Sequence, residues 1–333
     1  MNYLVMGAGA VGCYIGGRLA AAGHTVTFVG RPHVIATLRH HGLTVTDLDG
    51  FKAHLPGDQL LLAAHLDVSM FAHDCTVLLC VKGGATHSAA KELAAVCPAK
   101  TVVISLQNGV ENIDRIKVHA PLLNVVAGMV PFNVVMLHSG HIHRGTTGAL
   151  HMTKQARTEI LVPTWKSAGL PLVLKTDMLE VQWGKLLLNL NNPVNALSDL
   201  PLRTQLGDYD YRHVVAALQT EALQALKAAG IRPAKVAAAP PAWLPFILRL
   251  PNAIFARVAS RMLRMDAAAR SSMWDDFQHG RITEIDDLCG AVVRLAHTGG
   301  TSAPINAAMC RLISNHQAGQ SMSGIALRAA LGT

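Results

Sequence analysis

Three polar side chains at helical spacing are the residues of this chain best placed to do chemistry. Lys185, Asn189 and Asn192 lie in the run Trp183-Gly-Lys-Leu-Leu-Leu-Asn-Leu-Asn-Asn-Pro193, where apolar residues fill most of the other positions. At ~100° per residue, positions i, i+4 and i+7 of one helix fall within roughly 60° of one another. The pattern therefore predicts one ammonium and two amides on a narrow stripe of a largely buried helix.

These three polar groups need partners, because burying such groups unpaired costs several kcal/mol. They either satisfy one another within a core or line a cleft that receives a polar ligand. A single Asn on an apolar helix is more often structural. Here three polar groups are in register and one of them can release a proton, which favours a ligand site.

A glycine-rich turn, Gly7-Ala8-Gly9-Ala10-Val11-Gly12, follows a predicted strand and opens a predicted helix. In that context the first glycine permits a tight turn, the second lets the backbone approach a pyrophosphate, and the third lets helix and strand pack closely. Free N–H groups at the helix start would receive the anion. The turn predicts a dinucleotide site, and a plain glycine-rich strand–helix turn is the alternative.

The residue that follows the second predicted strand indicates which dinucleotide is bound. NAD sites usually place Asp or Glu there to bind the ribose 2′-hydroxyl. This chain has Arg31 instead, in Val29-Gly30-Arg31. Because a guanidinium can bind a 2′-phosphate through two hydrogen bonds, the sequence favours NADP over NAD. A solvated surface arginine is the alternative.

Two more polar residues follow predicted strands, at the edge where ligands bind in parallel sheets. Lys82 lies in Val81-Lys82-Gly83-Gly84 and Asn108 in Leu106-Gln107-Asn108-Gly109. Asn before Gly is also a common turn pair. We interpret Lys82 as a mobile cation near the phosphates or the substrate, and Asn108 as a hydrogen-bonding partner of the cofactor ribose or the substrate.

A segment near the C-terminus carries two serines and a glutamate. Ser271 and Ser272 open the run Ser-Ser-Met-Trp-Asp-Asp-Phe, and Glu284 lies in Gly-Arg-Ile-Thr-Glu-Ile-Asp. A continuous helix would separate Ser272 from Glu284 by about 18 Å, so the two would reach different parts of a substrate and an extended cofactor. Either serine could equally be a helix N-cap, and Glu284 a solvated or ion-paired helix residue.

Short apolar runs alternate with helical patterns in the first third of the chain. Strands are predicted at 3–6, 25–29, 75–81 and 101–105, helices at 10–22 and 86–96, a strand-rich segment at 125–152, and a helix at 158–169. The strands are continuously apolar rather than alternating. This βαβ rhythm predicts an α/β Rossmann domain, a mostly parallel, doubly wound sheet covered on both faces.

From about residue 178 the pattern is almost entirely helical. Helical character is predicted for the Lys185 run, for 213–230, for a proline-punctuated stretch to residue 264, for 267–299 and for 305–317. The sequence therefore predicts two domains, residues 1–177 with the α/β pattern and residues 178–333 with the helical one.

Composition excludes several classes of protein. The chain has 333 residues, of which 50% are hydrophobic and 15% charged, so it can bury large cores. The net charge is +8, but the cations are scattered and aromatics are only 5%, which argues against nucleic-acid binding. A modest positive field would suit an anionic substrate or cofactor.

Cysteine usage and hydropathy predict a cytoplasmic protein. The six cysteines form no Cys-x-x-Cys pair and are interpreted as free thiols of a reducing compartment. The N-terminus lacks a basic region, and no run of 18 uninterrupted apolar residues suggests a membrane helix. His138, His141 and His143 surround a glycine turn without nearby carboxylates or cysteines, so no metal site is expected.

Taken together, these motifs resemble those of the ketopantoate reductase family, the 2-dehydropantoate 2-reductases, over nearly the whole chain. The matching motifs are GAGAVG at Gly7–Gly12, Arg31, VK at Lys82, QNG at Asn108, WGKLLLN from Trp183 to Asn189, and SSMWDDF with GRITEID from Ser271 to Asp286. The order and spacing of these elements are more specific than any one of them.

The resemblance implies a fold and a chemistry. It implies an N-terminal Rossmann domain, an all-α C-terminal domain of the 6-phosphogluconate-dehydrogenase-like type, an active site in the cleft between them, and NADPH as hydride donor. It also implies that Lys185 is the proton donor. Asn189, an Asn in the following turn and the serine pair would hold the substrate, Asn108 would contact both ligands, and Glu284 would contact the cofactor.

Two departures from the family pattern bear on the substrate. Many members carry the second Asn eight positions after the lysine, followed by Pro, whereas here position +8 is Pro193 and the Asn is Asn192 at +7, with Asn191 and Asn195 nearby. A polar residue that often follows the next Pro is replaced by Leu202. The part of the pocket that recognises a substrate hydroxyl is therefore expected to differ.

The expected function is NADPH-dependent reduction of 2-dehydropantoate to pantoate, on the route to pantothenate and coenzyme A. One alternative is a reductase of another 2-oxo acid. Another is a non-catalytic NADP-binding regulatory protein that kept the scaffold. The apolar helices of the second half could bury a homodimer interface or could be core.

Overall fold

The chain folds into two units, Met1–Met178 and Leu179–Thr333, in the computed structural model. The structure describes residues 1–236, 239–260, 269–316 and 319–333. The first unit is an α/β Rossmann unit and the second is helical, which confirms the predicted fold class.

The strands of the first unit form two sheets. They are β1 (Asn2–Met6), β2 (Thr25–Val29), β3 (Leu43–Asp47), β4 (Lys52–Leu55), β5 (Leu61–Ala63), β6 (Cys75–Leu79), β7 (Val102–Ser105), β8 (Asn124–Met129), β9 (Val134–His138), β10 (His141–Arg144), β11 (Leu150–Thr153) and β12 (Leu172–Lys175). The larger sheet has the order β12-β11-β8-β7-β6-β1-β2-β5, and the smaller has the order β4-β3-β10-β9.

Helices cover the larger sheet and make up the second unit. Those of the first unit are α1 (Ala10–Ala21), α2 (Pro32–His41), α3 (Thr86–Val96), α4 (Asn112–His119), α5 (Ala156–Glu159) and α6 (Leu161–Ser167), with short 3₁₀ turns at Val68–Phe71 and Gly83–Ala85. The later helices are α7 (Met178–Asn189), α8 (Asn191–Ser198), α9 (Leu202–Gly207), α10 (Tyr209–Ala228), α11 (Leu244–Leu248), α12 (Asn252–Val258), α13 (Ser272–Gln278), α14 (Ala291–Thr298), α15 (Pro304–Asn315) and α16 (Gly324–Leu331). A 3₁₀ turn at Pro241–Trp243 and a π-helical turn at Asp286–Gly290 complete the described part.

The central strands of the larger sheet are parallel and end level with one another. Met6 of β1 lies opposite Val29 of β2 and Leu79 of β6, and Leu79 lies opposite Ser105 of β7. The mostly parallel sheet is thus confirmed, with β11 antiparallel to β8 as the exception. The turns that follow β1, β2, β6 and β7 therefore emerge along one edge.

Alternate residues of the central strands pack into two hydrophobic cores. Val5 of β1 belongs to one buried cluster together with Ile15 of α1, and Leu4 belongs to a second cluster together with Leu93 of α3. Successive side chains of a strand point to opposite faces, so continuously apolar strands give a sheet that is buried on both sides.

The smaller sheet was not expected from the sequence. Its strands β3 and β10 pair in parallel, with Thr44 opposite His141 and Asp47 opposite Arg144. These partners are nearly a hundred residues apart and the strands are short. No local sequence pattern therefore predicts the pairing. The strand-rich prediction for 125–152 is confirmed as β8 to β11.

Two helical predictions need correction. The single helix expected across residues 183–193 is wrong, because α7 ends at Asn189 and α8 begins at Asn191. Pro193 explains the break, since it has no N–H to donate to the carbonyl of Asn189 and its ring would crowd that carbonyl. Helical character throughout 267–299 is also wrong, because α13 ends at Gln278 and Gly280 has a φ of +60°.

Some predictions fall outside the described residues. These are the helical character expected for 261–264 and for the start of the 267–299 segment, and the last position of the 305–317 helix. In the described part of the chain, no helix has both the length and the apolar character needed to cross a membrane.

Candidate functional site

The three glycines of the turn after β1 have distinct surroundings. A Cβ added to Gly7, which has a φ of +106°, would lie 2.6 Å from the backbone N of Val81, and one on Gly12 would lie 2.3 Å from the carbonyl O of Gly7. A Cβ on Gly9 would have nothing within 4 Å. The outer glycines are thus required by close packing, while the middle one leaves an open approach to the backbone.

The start of α1 suits an anion. Gly9 is the N-cap and supplies no side-chain acceptor, and the first turn, from Ala10 through Val11, carries no acidic residue. The N–H groups of a helix start carry partial positive charge and receive phosphates readily. The N–H of Ala8 is already committed, because it donates to the carbonyl of Val29 at 3.1 Å. The turn fits a dinucleotide pyrophosphate, with α1 supplying the donors.

Arg31 lies where the second strand ends. It is the N-cap of α2, is exposed, and follows Gly30, whose backbone lies against Ala8: a Cβ there would be 2.9 Å from the Cβ of Ala8. Among the ion pairs of the described residues, none involves Arg31. Arg31 is therefore the chain neighbour of the residue that packs on the glycine turn, and no described carboxylate is paired with its guanidinium.

Lys82 and Asn108 follow β6 and β7, the next two strands of the sheet. Lys82 is exposed and caps the short 3₁₀ turn Gly83–Ala85. Asn108 is half-buried and precedes Gly109, whose φ is +95°. The structure thus places the glycine turn, Arg31, Lys82 and Asn108 along one edge of the sheet.

A buried hydrogen-bond chain beneath Asn108 was missed by sequence reasoning. The Ser105 hydroxyl donates to Gln107 Oε1 at 3.0 Å, Gln107 Nε2 donates to Thr86 Oγ1 at 2.7 Å, and Thr86 Oγ1 donates to Asn112 Oδ1 at 2.9 Å. Asn112 Nδ2 then donates to the carbonyl of Asn108 at 2.6 Å. The glutamine before Asn108 was the available signal, since a buried amide needs partners.

Lys185 lies on α7 among buried apolar residues. Trp183 and Leu186 are almost completely buried, and Lys185 itself is half-buried. Desolvation lowers the pKa of Lys185 to about 8, and the negative charge of Glu284 opposes this by favouring the ammonium. A lysine with a pKa near neutrality can exchange its proton at physiological pH.

The polar stripe is split between two helices. Lys185 and Asn189 are four residues apart on α7 and share one face, and both are half-buried. Asn192 belongs to α8, and its carbonyl accepts a hydrogen bond from the Ser271 hydroxyl at 3.3 Å. Lys185 and Asn189 therefore share a helical face as predicted, whereas Asn192 lies on the next helix, and the roles of all three remain predictions.

Ser271 is the N-cap of α13. Its Oγ accepts the N–H of Trp274 at 3.2 Å, and its own N–H donates to Asn195 Oδ1 at 2.8 Å. The capping alternative for Ser271 is therefore what the structure shows, and a substrate contact from its hydroxyl remains a prediction. Ser272, the first residue of α13, is exposed.

A second contact ties α8 to α13. Asp199, the C-cap of α8, has a φ of +52° and its Oδ1 accepts the indole N–H of Trp274 at 2.6 Å. Arg270 pairs with the same oxygen at 3.3 Å and lies over the Trp274 ring. The start of α13, which carries the serine pair, is thus held on both sides.

The three histidines lie around the β9–β10 hairpin. Nδ1 of His141 and Nε2 of His138 are 3.0 Å apart, and Thr46 Oγ1 lies 2.9 Å from ring nitrogens of both His141 and His143. Within the described ranges, no group of three or more His, Cys, Asp or Glu side chains is arranged to hold a metal ion.

Family models settle where this chain belongs. The model described as ketopantoate reductase PanE/ApbA matches residues 3–156, and the model for the C-terminal part of the same family matches residues 177–317. The chain belongs to the ketopantoate reductase family. The resemblance read from the motifs is thereby confirmed, and the protein is an oxidoreductase of this family.

Individual ketopantoate reductases and related proteins extend the match to nearly the full length. The 2-dehydropantoate 2-reductase of Halobacterium salinarum is 26% identical over 321 residues, which cover 94% of this chain and 98% of that protein. A ketopantoate reductase from Ralstonia eutropha JMP134 has a solved structure with a TM-score of 0.79, 28% identity, and coverage of 94% and 97%.

A dehydrogenase with a different name shares the fold. A D-mandelate dehydrogenase, solved with NADH and anilino(oxo)acetate, has a TM-score of 0.76 at 18% identity and covers all of both chains. At that identity the likeness shows the fold of the ketopantoate reductase family and nothing of the substrate.

Proposed function

We propose that this protein is an NADPH-dependent reductase of a 2-oxo acid, with 2-dehydropantoate as substrate and pantoate as product. The observation that carries the proposal is Lys185, a half-buried lysine beside the charge of Glu284, with a pKa lowered to about 8. Membership of the ketopantoate reductase family supports the reaction class.

Lys185 is proposed as the proton donor. A bound nicotinamide cofactor would supply the hydride for the carbonyl carbon of the 2-oxo acid, and negative charge would then develop on the carbonyl oxygen. An ammonium beside that oxygen stabilises the charge and transfers its proton, which yields the hydroxyl group and leaves a neutral amine. The lowered pKa suits this role, because a lysine at its usual value of about 10.4 would release the proton less readily.

Amide and hydroxyl groups are proposed to hold the acid. Asn189 lies one helical turn from Lys185 and can donate to a substrate oxygen without adding a competing charge. Ser272 is exposed at the N-terminal turn of α13, where a hydroxyl could bind a carboxylate. Asn192, Ser271, Asn108 and Glu284 retain the roles that the family resemblance implies, as part of the proposal.

The proposed cofactor preference is supported by the edge of the Rossmann sheet. The open backbone at Gly9 and the start of α1 fit a pyrophosphate. Arg31, exposed beside this turn, supplies the cation that a 2′-phosphate needs. Lys82 adds a second cation along the same edge.

A different 2-oxo acid is the second candidate substrate. Pro193 occupies the position where many family members have an amide, and Leu202 replaces a polar residue. Asn195, which could have substituted for the missing amide, is fully buried and uses both side-chain polar atoms on the backbone. These features favour a substrate with a less polar side chain. They do not affect the proposed hydride and proton transfer.

The deciding experiment follows the loss of NADPH absorbance against a panel of 2-oxo acids. The panel contains 2-dehydropantoate, unsubstituted short-chain 2-oxo acids and bulky apolar ones such as phenylglyoxylate. Fastest turnover of 2-dehydropantoate supports the proposal as stated. Turnover of another acid alone keeps the chemistry and changes the substrate.

A non-catalytic NADP-binding protein gives a different outcome in the same experiment. NADPH would bind tightly, measured by calorimetry, while no acid on the panel is reduced. Such a protein has no use for a proton donor at Lys185, so the presence of this lysine favours the enzyme.

A further inference from the structure

The helical unit contains a large pocket whose described lining includes none of the proposed catalytic residues. Its volume is about 930 Å³, within the range of small-molecule sites. Its described walls come from the second half of α10, the chain that follows α10, and α11 with the turn before it. Neither Lys185 nor Asn189, Ser272 or Glu284 is among the described residues that line it.

The inner surface of this pocket is mostly apolar. Leu226 and Pro245 are buried at its walls, Leu223 and Ile231 are half-buried, and Phe246 is 68% exposed. Covering such an exposed aromatic side chain with an apolar group would remove apolar surface from water, which is favourable. The shape and lining therefore suit the hydrocarbon part of a ligand.

Three cations share the pocket, and no carboxylate is among its described lining residues. Lys227, Arg232 and Arg249 all line it. In the part of the chain that the structure describes, none of the three is joined to a carboxylate in an ion pair, and Arg249 Nη2 donates only to the neutral hydroxyl of Thr220, at 3.2 Å. A cluster of positive charges next to low-dielectric walls attracts an anion.

One wall of the pocket is anchored to α7. The N–H of Ala234, just after the lining residue Pro233, donates to the carbonyl of Glu180 at 2.8 Å. A Cβ on Gly184 would lie 2.3 Å from the carbonyl O of Ala234, so the backbone packs directly on the helix there. Ile231 is fixed to α10 by its own N–H, which donates to Leu226 O at 2.9 Å. The wall is therefore preformed, which lowers the entropy cost of binding.

We propose that this pocket binds an amphipathic anion, an unbranched apolar chain that ends in a carboxylate or phosphate. The apolar walls take the chain, and Arg232, Arg249 and Lys227 take the headgroup. Its described lining shares no residue with the proposed reductase site, and the proposal does not depend on the reductase assignment because binding is measured without turnover.

The test is a calorimetric titration of the full-length protein with dodecanoate below its micelle concentration. Dodecyl phosphate forms a second arm that separates a carboxylate preference from a phosphate preference. Acetate carries the headgroup without the chain, and dodecyltrimethylammonium carries the chain with the opposite charge. We expect saturable binding of one or both dodecyl anions with a Kd below about 100 µM, equivalent to roughly −5.5 kcal/mol, and at least tenfold weaker binding of both controls.

Two variants and a matched control locate the site. R249Q and the double variant K227Q/R232Q should each weaken dodecyl-anion binding at least tenfold; the second changes only exposed side chains and leaves the fold intact. R311Q removes an exposed cation on α15 that does not line the pocket and should leave the Kd unchanged. Equal binding of the cationic amphiphile, equal loss in R311Q, or no saturable binding of either anion overturns the proposal.

Discussion

Asn195 Oδ1 accepts the backbone N–H of Ser271 at 2.8 Å, in a fully buried contact between two segments 76 residues apart. The other end of the same amide, Nδ2, donates to the carbonyl of Leu200 at 2.9 Å. One side chain thus connects α8, the turn after it and the start of α13. This amide fixes where the serine pair begins.

Removing that amide should destabilise the protein. Asn195→Ala leaves the buried N–H of Ser271 without a partner, which costs about 1–3 kcal/mol, and it also removes the partner of the half-buried Leu200 carbonyl. We expect a loss of that order in the free energy of unfolding, measured by urea denaturation. Asn191→Ala is the matched control, because Asn191 is half-buried and its Oδ1 accepts a single hydrogen bond within the described residues, from Gln205 Nε2 at 3.1 Å, so this variant loses one contact rather than two. Equal stability of the two variants would show that the buried amide is not a connector.

Lys185→Ala should abolish most turnover without abolishing cofactor binding. General acid catalysis by a positioned group contributes about 10²–10⁴-fold, so kcat should fall at least a hundredfold. The affinity for NADPH, measured by calorimetry, should stay within threefold. Lys185→Arg sharpens the result, because an arginine keeps the charge but does not release its proton near neutral pH. Normal turnover in either variant contradicts the assignment of Lys185 as proton donor.

The pH dependence of the reaction should report the Lys185 ammonium. With a pKa of about 8, the donor is protonated at pH 7 and loses its proton as the pH rises through about 8. The value of kcat/KM for reduction should therefore fall about tenfold per pH unit on the alkaline side of that value. Oxidation of the hydroxy acid needs the neutral amine of Lys185, so kcat/KM for oxidation should rise with pH through the same range. A flat profile through this range would exclude Lys185 as the titrating group.

Glu284→Gln should shift the alkaline fall of kcat/KM for reduction to lower pH. The carboxylate charge favours the ammonium of Lys185, so its removal lets desolvation lower the lysine pKa further. The measurement is the pH at which kcat/KM falls to half, compared with the parent protein. Asp286→Asn is the control, since Asp286 pairs with Arg294 instead. A shift towards higher pH would contradict the electrostatic coupling between Glu284 and Lys185.

Much of the sheet edge that carries the glycine turn and Arg31 could be predicted because its signals are local. Gly7 has a φ of +106°, Gly12 packs against the carbonyl O of Gly7 in the same turn, and Arg31 comes two residues after β2, so a few adjacent residues carry much of the information. The break between α7 and α8 also had a local signal in Pro193, which the helical spacing of Lys185, Asn189 and Asn192 obscured.

Other features depend on residues far apart in the chain. The contact between Asn195 and Ser271 and the pairing of β3 with β10 join segments separated by many intervening elements. A polar residue in an apolar run can equally face a ligand or a distant backbone. Only the fold shows that Asn195 belongs to the second group, and periodicity alone cannot distinguish the two.

Arg31→Ala should change cofactor preference rather than general activity. If the guanidinium binds the 2′-phosphate, its loss removes a charge-assisted contact worth about 1.5–3 kcal/mol, or about 10–100-fold in affinity. We expect the KM for NADPH to rise by that factor while the KM for NADH stays within twofold. Arg39→Ala is the control, because Arg39 is exposed on the same helix, α2, eight positions further along. Equal losses for NADPH and NADH would show that Arg31 acts on the part that the two cofactors share. A preference for NADPH would then have to come from another cation at the same edge of the larger sheet. Lys82→Ala is the variant that tests this.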